Sequence, residues 1–148
     1  MKNTFLILIT LALSASLYSQ KDTLNAPKAV LPNVYADPHI AVFDKKFYIY
    51  PTTDGSEGWK STSFTCWSSK DLVKWDYEKV ILDLPKDISW AKERAWAPAI
   101  AYKNGKYYYY FSADVNIGVA VSDKPTGPFK DALGVPLAKK GMLKGQMI

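Results

Sequence analysis

The side chains able to do chemistry in this chain are mainly carboxylates. The 148 residues include 14 Asp and Glu but only one His and one Cys, His39 and Cys66. So few imidazole and thiol groups exclude a zinc site of the usual His/Cys type and a Ser-His triad supplied by this chain alone. Any catalysis must therefore depend on carboxylates, acting as general acids, general bases or nucleophiles.

Asp37 is the carboxylate with the most suggestive setting. It stands in NVYADPHIAVF, residues 33–43, between a small residue and a proline at the start of an apolar run. An Asp before Pro often closes an Asx-type turn and has no further role. Alternatively, this carboxylate is half of a catalytic pair. The residues alone leave both interpretations open.

The elements that would position Asp37 belong to an internal repeat with an offset of 60 residues. DPHIAVFDKKFYIYPTT, which begins at Asp37, aligns without a gap with APAIAYKNGKYYYYFSA, which begins at Ala97. Each copy predicts an apolar strand, a polar turn and an aromatic strand, and the second turn contains Asn-Gly, the strongest short hairpin signal. Only the first copy has a carboxylate at this position, which favours a local role over a structural one.

Each copy continues into two more strands. CWSSKDLVKW from Cys66 and VAVSDKPTGPF from Val119 both predict a strand that runs into a polar turn, and WDYEKVIL and FKDALGVPLA supply a fourth strand, less regular in the second copy. Four short antiparallel strands with a period near 60 residues are typical of β-propeller blades. Two blades cannot close a propeller. We therefore expect an all-β chain that forms part of a larger propeller.

Several motifs in this order resemble the glycoside hydrolase family 43 enzymes. They are YADPHI, the Gly58-Trp59 pair, SSKDLVKW at 68–75, RAWAP at 94–98, NGKYYYYFSA at 104–113 and IGVAVSDKPTGPF at 117–129. The resemblance covers residues 34–148 and implies a five-bladed β-propeller, of which this chain holds about the first two blades, truncated. It also implies a secreted, inverting glycosidase that acts on arabinosides and xylosides of plant polysaccharides.

The resemblance assigns one catalytic role in this chain. The family uses a general-base aspartate, a second aspartate that tunes the pKa of the acid, and a general-acid glutamate; only the base has a counterpart here, Asp37. An inverting enzyme needs base and acid roughly 6.5–9.5 Å apart, and the other carboxylates are expected after Ile148. Glu93, beside Arg94, and Asp54, in a turn, are poor substitutes for the acid. The chain alone is expected to be inactive.

Four other side chains are expected near the mouth of the propeller. Trp59, in the long loop of blade one, and Trp96, before the first strand of blade two, would stack on sugar rings. Arg94 would donate hydrogen bonds to sugar hydroxyls. His39 follows Asp37 by two residues and is expected on the same strand face. Blade-to-blade packing for Trp96 and a core position for His39 are the alternatives.

The N-terminal segment predicts export. Lys2 precedes FLILITLALSA, residues 5–15, which is too short to span a bilayer and is followed by small and polar residues. This pattern is typical of a secretory signal peptide, with a buried N-terminal helix as the alternative. We expect residues 1–20 to be removed, residues 21–33 to lead into the propeller and residues 34–148 to form it. The product would be secreted or periplasmic, without a membrane anchor.

The charge pattern predicts a solvated surface. The formal charge of +5 is distributed mostly over single lysines with acids between them, and basic clusters are no longer than pairs such as Lys139-Lys140. No phosphate-binding stripe is present, so we expect no nucleic-acid partner and instead a plant polysaccharide or oligosaccharide. We expect no metal site and no cofactor in this chain; the resemblance implies that a structural Ca²⁺, found in some relatives, would bind outside it. Cys66 is predicted to be a free, buried thiol.

Two other functions match less of the pattern. A carbohydrate-binding propeller that has lost catalysis would keep the aromatic side chains and lack the later carboxylates. A retaining sucrose- or fructan-acting five-bladed enzyme would use an aspartate as nucleophile. Its first-blade motif is similar to NDPNG, and YADPHI lacks the flanking Asn and Gly.

Overall fold

The computed structural model describes residues 28–142, which form two four-stranded antiparallel sheets with the orders β1-β2-β3-β4 and β5-β6-β7-β8. The prediction of an all-β fold with four antiparallel strands in each repeat is confirmed. The predicted signal peptide, residues 1–20, and residues 21–27 and 143–148 lie outside the described residues. Within the described part, no helix is long and apolar enough to cross a membrane.

The strands follow the order of the repeat. Blade one contains β1 (Tyr35–Phe43), β2 (Lys46–Thr53), β3 (Ser63–Ser69) and β4 (Asp76–Asp83), with a 3-10 turn at Glu57–Trp59. The short helix α1 (Leu84–Asp87) follows β4. Blade two contains β5 (Trp96–Lys103), β6 (Lys106–Ala113), β7 (Asn116–Ser122) and β8 (Lys130–Asp131). The fourth strand of the second copy is only two residues long, in agreement with its less regular sequence.

The first hairpin of each blade has the same geometry. Phe43 pairs with Lys46 in blade one, and Lys103 pairs with Lys106 in blade two, so two residues form each loop. All four loop residues have positive φ, from 48° to 78°, as a type I′ turn requires. The Asn-Gly prediction is confirmed, and the repeat offset holds at the level of strand register.

The two blades pack against each other through aromatic rings. Tyr50 of β2 and Tyr109 of β6 are fully buried, with ring centroids 5.8 Å apart in an edge-to-face arrangement. Phe64 lies 5.3 Å from Tyr109 and 5.5 Å from Phe111. Each such pair adds about 0.5–1.5 kcal/mol beyond the burial of its area. The Tyr50 hydroxyl also donates to the Pro125 carbonyl at 2.9 Å, a polar link between the blades. Much of the aromatic content therefore stabilises the contact between blades.

The connection between the blades fixes the start of β5. Leu84 and Ile88, both part of this connection, are buried. Further along, the Ala95 N–H donates to the Ser61 carbonyl at 2.9 Å, and the Ser61 hydroxyl donates to the Ala95 carbonyl at 2.9 Å. This pair of bonds holds the loop that carries Trp59 against the segment that enters blade two.

Apolar side chains remain exposed on the two outward faces of the pair. Ile40 and Val42 of β1 are 55% and 57% exposed, and Tyr110 and Ile117 of blade two are 38% and 39% exposed. Cys66 of β3 is a free and buried thiol, as predicted. The burial therefore concentrates between the blades, as expected for stacked repeats that require neighbours.

Candidate active site

A β-bulge presents Asp37 at the start of blade one. The pairing of β1 with β2 shifts between Ala36 and His39, so Asp37 and Pro38 stand opposite Pro51 alone. Asp37 has φ of 45°, a left-handed conformation that Asp tolerates better than most residues. Pro38 has no N–H to donate, which suits a position where the strand ladder is interrupted. The bulge leaves the Asp37 side chain exposed.

Blade two has the same bulge without the carboxylate. The pairing of β5 with β6 shifts between Trp96 and Ala99. Ala97, at the position equivalent to Asp37, has φ of 46°. The backbone conformation is therefore a property of the repeat, whereas the acidic side chain is particular to blade one.

The two bulges border a cleft of about 480 Å³ between the blades. Its lining residues are Ala36, Asp37, Thr52, Asp54, Trp59, Trp96, Ala97 and Ser112. The structure thus brings together three of the five side chains that the sequence predicts for the site, namely Asp37, Trp59 and Trp96. Their catalytic and binding roles stay predictions.

His39 and Arg94 are not among the lining residues in the described part of the chain. The bulge interrupts the side-chain alternation of β1, so a two-residue spacing no longer places His39 beside Asp37; His39 is half-buried and pairs with Tyr50. The Arg94 guanidinium lies 3.9 Å from the Glu93 carboxylate, the pairing expected from their adjacency. Contacts of His39 and Arg94 with a ligand stay predictions.

A short hydrogen-bond chain holds the Asp37 carboxylate. The Thr52 hydroxyl donates to Asp37 Oδ2 at 3.1 Å, and the Ala97 N–H donates to Thr52 Oγ1 at 2.8 Å. Thr52 is 4% exposed. The partner of Asp37 is therefore a side chain 15 residues away on the neighbouring strand, whereas an Asx-type turn would use a backbone N–H nearby.

Two tryptophans form an aromatic wall of the cleft. The rings of Trp59 and Trp96 are edge-to-face, with centroids 6.5 Å apart. Trp96 Nε1–H donates to the Trp59 carbonyl at 3.0 Å, so this N–H is already satisfied within the wall. The Trp59 side chain is 72% exposed. Ring faces, and chiefly that of Trp59, are what the wall offers to a ligand.

Asp54 is the second carboxylate of the cleft. Its Oδ1 accepts from the Gly55 N–H at 2.7 Å, and its own N–H donates to the Val34 carbonyl at 3.1 Å. These contacts agree with the turn role that the sequence indicates. Within residues 28–142, no three His, Cys, Asp or Glu side chains come together as a metal-binding group.

Thr52 and Ser112 are cleft residues that the sequence interpretation did not identify. Both lie one residue before the end of an aromatic strand, and they occupy equivalent positions of the repeat. The recurrence of a hydroxyl at the same repeat position was the available signal. It carries little information alone, since Ser and Thr are common near strand ends.

Comparison with protein families and curated proteins gives a consistent assignment. The family described as glycosyl hydrolases family 43 matches residues 26–148. A β-D-galactofuranosidase of Aspergillus niger is 37% identical over 128 residues, which cover 76% of this chain and 36% of the relative. A xylosidase/arabinosidase of Bacteroides ovatus is 38% identical over 117 residues, which cover 68% of this chain and 36% of the relative. The chain therefore spans about a third of the length of these relatives.

Solved structures give the same result. A family 43 β-xylosidase/α-arabinofuranosidase from a compost microbial metagenome, crystallised with xylotriose, superposes with a TM-score of 0.68 at 38% identity, covering 74% of this chain and 37% of that one. A family 43 enzyme of Xanthomonas citri in complex with xylotriose gives a TM-score of 0.66 at 34% identity, covering 72% of this chain and 34% of that one. At this identity the similarity extends beyond the fold to the sequence.

Proposed function

Because the chain belongs to glycosyl hydrolases family 43, we propose that the protein containing it is a secreted or periplasmic glycosidase. It hydrolyses arabinosides and xylosides of hemicellulose with inversion of configuration, and Asp37 is the general base. One observation supports this role above all others: Asp37 is exposed at an aromatic-walled cleft and is held by a hydrogen bond from buried Thr52.

In the proposed mechanism, Asp37 removes a proton from a water molecule as that water attacks the anomeric carbon. The bond between the anomeric carbon and the glycosidic oxygen breaks, and a protonated carboxyl on the other side of the sugar gives its proton to the departing oxygen. Base and acid are roughly 6.5–9.5 Å apart in such enzymes, which leaves room for the water. In this mechanism the general acid, and the aspartate that tunes the pKa of that acid, belong to parts of the protein outside this chain.

The cleft walls suit a sugar ring. The C–H face of a pyranose or furanose is apolar and packs on an aromatic ring, as the exposed ring of Trp59 would allow. Thr52, Asp54 and Ser112 supply polar groups at the same cleft. Ala97 stands where blade one has its carboxylate, so the wall facing Asp37 is uncharged at that position. The names of the relatives, a xylosidase/arabinosidase among them, support pentosides as substrates.

The test uses the full-length protein and aryl glycosides. We expect release of the aryl group from β-D-xylosides or α-L-arabinofuranosides. A β-D-galactofuranoside is tested as a third substrate, because one relative is named a β-D-galactofuranosidase. Proton NMR of the first-formed sugar should show the anomer opposite to that of the substrate. Binding of xylo-oligosaccharides without hydrolysis would favour a non-catalytic propeller, and a retained anomer would exclude the proposed role of Asp37.

A further inference from the structure

We propose that Thr52 is a positioning residue for the general base, and that blade two takes part in this positioning through the backbone of Ala97. The inference rests on the proposed role of Asp37. It concerns how the carboxylate is held, which the family assignment leaves open.

The hydrogen-bonding capacity of Thr52 fixes the direction of both contacts. A threonine hydroxyl has one proton to donate and lone pairs to accept. The Ala97 N–H can only donate, so Thr52 Oγ1 is the acceptor in the 2.8 Å contact. The hydroxyl proton is then free for the 3.1 Å contact with Asp37 Oδ2. A carboxylate that acts as a base is ionised and only accepts hydrogen bonds. Both donors in this series of hydrogen bonds, the Ala97 N–H and the Thr52 hydroxyl, therefore have a matching acceptor.

The two bulges explain why this contact exists. A bulge interrupts the regular ladder and frees backbone groups that must find other partners. In blade two the freed group is the Ala97 N–H, and Thr52 of blade one satisfies it. Ala97 has φ of 46° at this bulge, and its N–H reaches Thr52 of the other blade. The bulge of blade two, which has no carboxylate, therefore helps to hold the carboxylate at the bulge of blade one.

Thr52 itself has little freedom to move. It is 4% exposed and lies in β2, paired with Ala36, the residue directly before Asp37. A β-branched side chain on a strand has few accessible rotamers, and two hydrogen bonds select one of them. The Asp37 oxygen that Thr52 engages is Oδ2, and the described residues provide no donor to Oδ1. Oδ1 is the oxygen that the hydrolytic water would meet.

The experiment compares three variants of the full-length protein. Thr52→Val keeps the shape of the side chain and removes the hydroxyl, whereas Thr52→Ser keeps the hydroxyl. Thr53→Val is the matched control, because the neighbouring Thr53 hydroxyl is buried and has no partner among the described residues. We expect Thr52→Val to lower kcat by about 10- to 100-fold with KM nearly unchanged, since misplacing a catalytic group has effects of this size. Thr52→Ser and Thr53→Val should stay close to wild type.

Each outcome decides something different. An inactive wild type would overturn the proposed function and this inference with it. An active wild type with a fully active Thr52→Val would overturn the positioning role alone, as would a Thr52→Ser variant as impaired as Thr52→Val, or an equal loss in Thr53→Val. If Thr52→Val does not fold, Thr52→Ala is compared with Thr52→Ser below both melting transitions. Equal kcat values in that pair would also overturn the inference.

Discussion

Asp37 and Ala97 have nearly identical backbone conformations, with φ of 45° and 46°, at equivalent bulges of the two blades. An alanine in this region is unfavourable, because its Cβ approaches a carbonyl oxygen. The conformation nevertheless recurs where no functional side chain requires it. The bulge is thus part of the repeat architecture, and blade one alone uses it to present a carboxylate.

The first prediction concerns Asp37. Asp37→Asn keeps the size of the side chain and cannot accept a proton, so turnover should fall by roughly 10³-fold, within the usual range for loss of a general base. Binding of xylo- or arabino-oligosaccharides, measured by calorimetry, should be largely preserved. Asp44→Asn, in the β1–β2 turn, is the control and should be fully active. Near wild-type turnover in Asp37→Asn would refute the assignment.

Trp59 is expected to contribute binding through its ring. Trp59→Ala should raise KM about 2- to 10-fold, since an aromatic stacking contact is worth roughly 0.5–1.5 kcal/mol. The backbone carbonyl that accepts from Trp96 remains in this variant, so the wall should keep its shape. Trp59→Phe should recover most of the affinity. Unchanged KM in the alanine variant would show that the ring lies outside the substrate path.

The strain at Ala97 can be measured with a matched pair of glycine substitutions. Ala99→Gly should lower the free energy of unfolding by about 0.5–1 kcal/mol, the ordinary cost of glycine in a strand. Ala97→Gly should cost less than this or be stabilising, because glycine removes the left-handed strain. Urea denaturation of both variants gives the difference. If Ala97→Gly is the more destabilising of the two, Ala97 is not strained.

Gly118 is required by the packing of its neighbours. A Cβ at this position would lie 2.7 Å from Phe111 Cε2 and 2.8 Å from Trp90 Cζ2. The two rings are stacked, 6.0 Å apart and 8° from parallel, so neither can move away without losing the other. Gly118→Ala should therefore cost about 1–3 kcal/mol of stability, as overpacked cores do.

Combining Gly118→Ala with Phe111→Leu tests this explanation. The smaller side chain makes room for the new methyl group, so the double variant should be more stable than the sum of the single effects. Additive losses in urea denaturation would indicate that Gly118→Ala acts through the backbone.

Cys66 should make the protein less stable at alkaline pH. Burial raises the pKa of its thiol from an ordinary value of 9.0 to about 12. Between these pH values the unfolded chain has released the proton and the folded one retains it. The contribution of this thiol to the free energy of unfolding should therefore be fully present below pH 9.0. Above pH 9.0 it should fall by up to about 1.4 kcal/mol per pH unit.

Two measurements check this dependence. The difference between the free energies of unfolding of wild type and Cys66→Ala, measured against pH, isolates the effect of the thiol. The buried tyrosines, whose pKa values are also raised, contribute in both proteins, so their effect largely cancels. Iodoacetamide at pH 8 should label Cys66 only after unfolding, because the thiolate is the reactive form. Rapid labelling of the native protein would show that the thiol is accessible and ionised.

The architecture was predictable because it depends on local patterns. Strand alternation, the Asn-Gly turn at Asn104 and the repeat itself are visible in the sequence, and together they give the blades. The bulge at Asp37 was not predicted, because Asp before Pro is compatible with several conformations. The Thr52–Ala97 contact was also missed, since it depends on how two sheets pack. The expectation for His39 assumed regular alternation, which the bulge interrupts.

The paired bonds between Ser61 and Ala95 have a further consequence for ligand association. They join the loop of Trp59 to the strand that begins with Trp96, so contacts within the protein hold the aromatic wall in place before any ligand binds. Little conformational entropy would then be lost when the ligand binds, and more of the stacking energy would appear as affinity. A preorganised wall of this kind would bind in a single kinetic step, without a slower phase of loop closure.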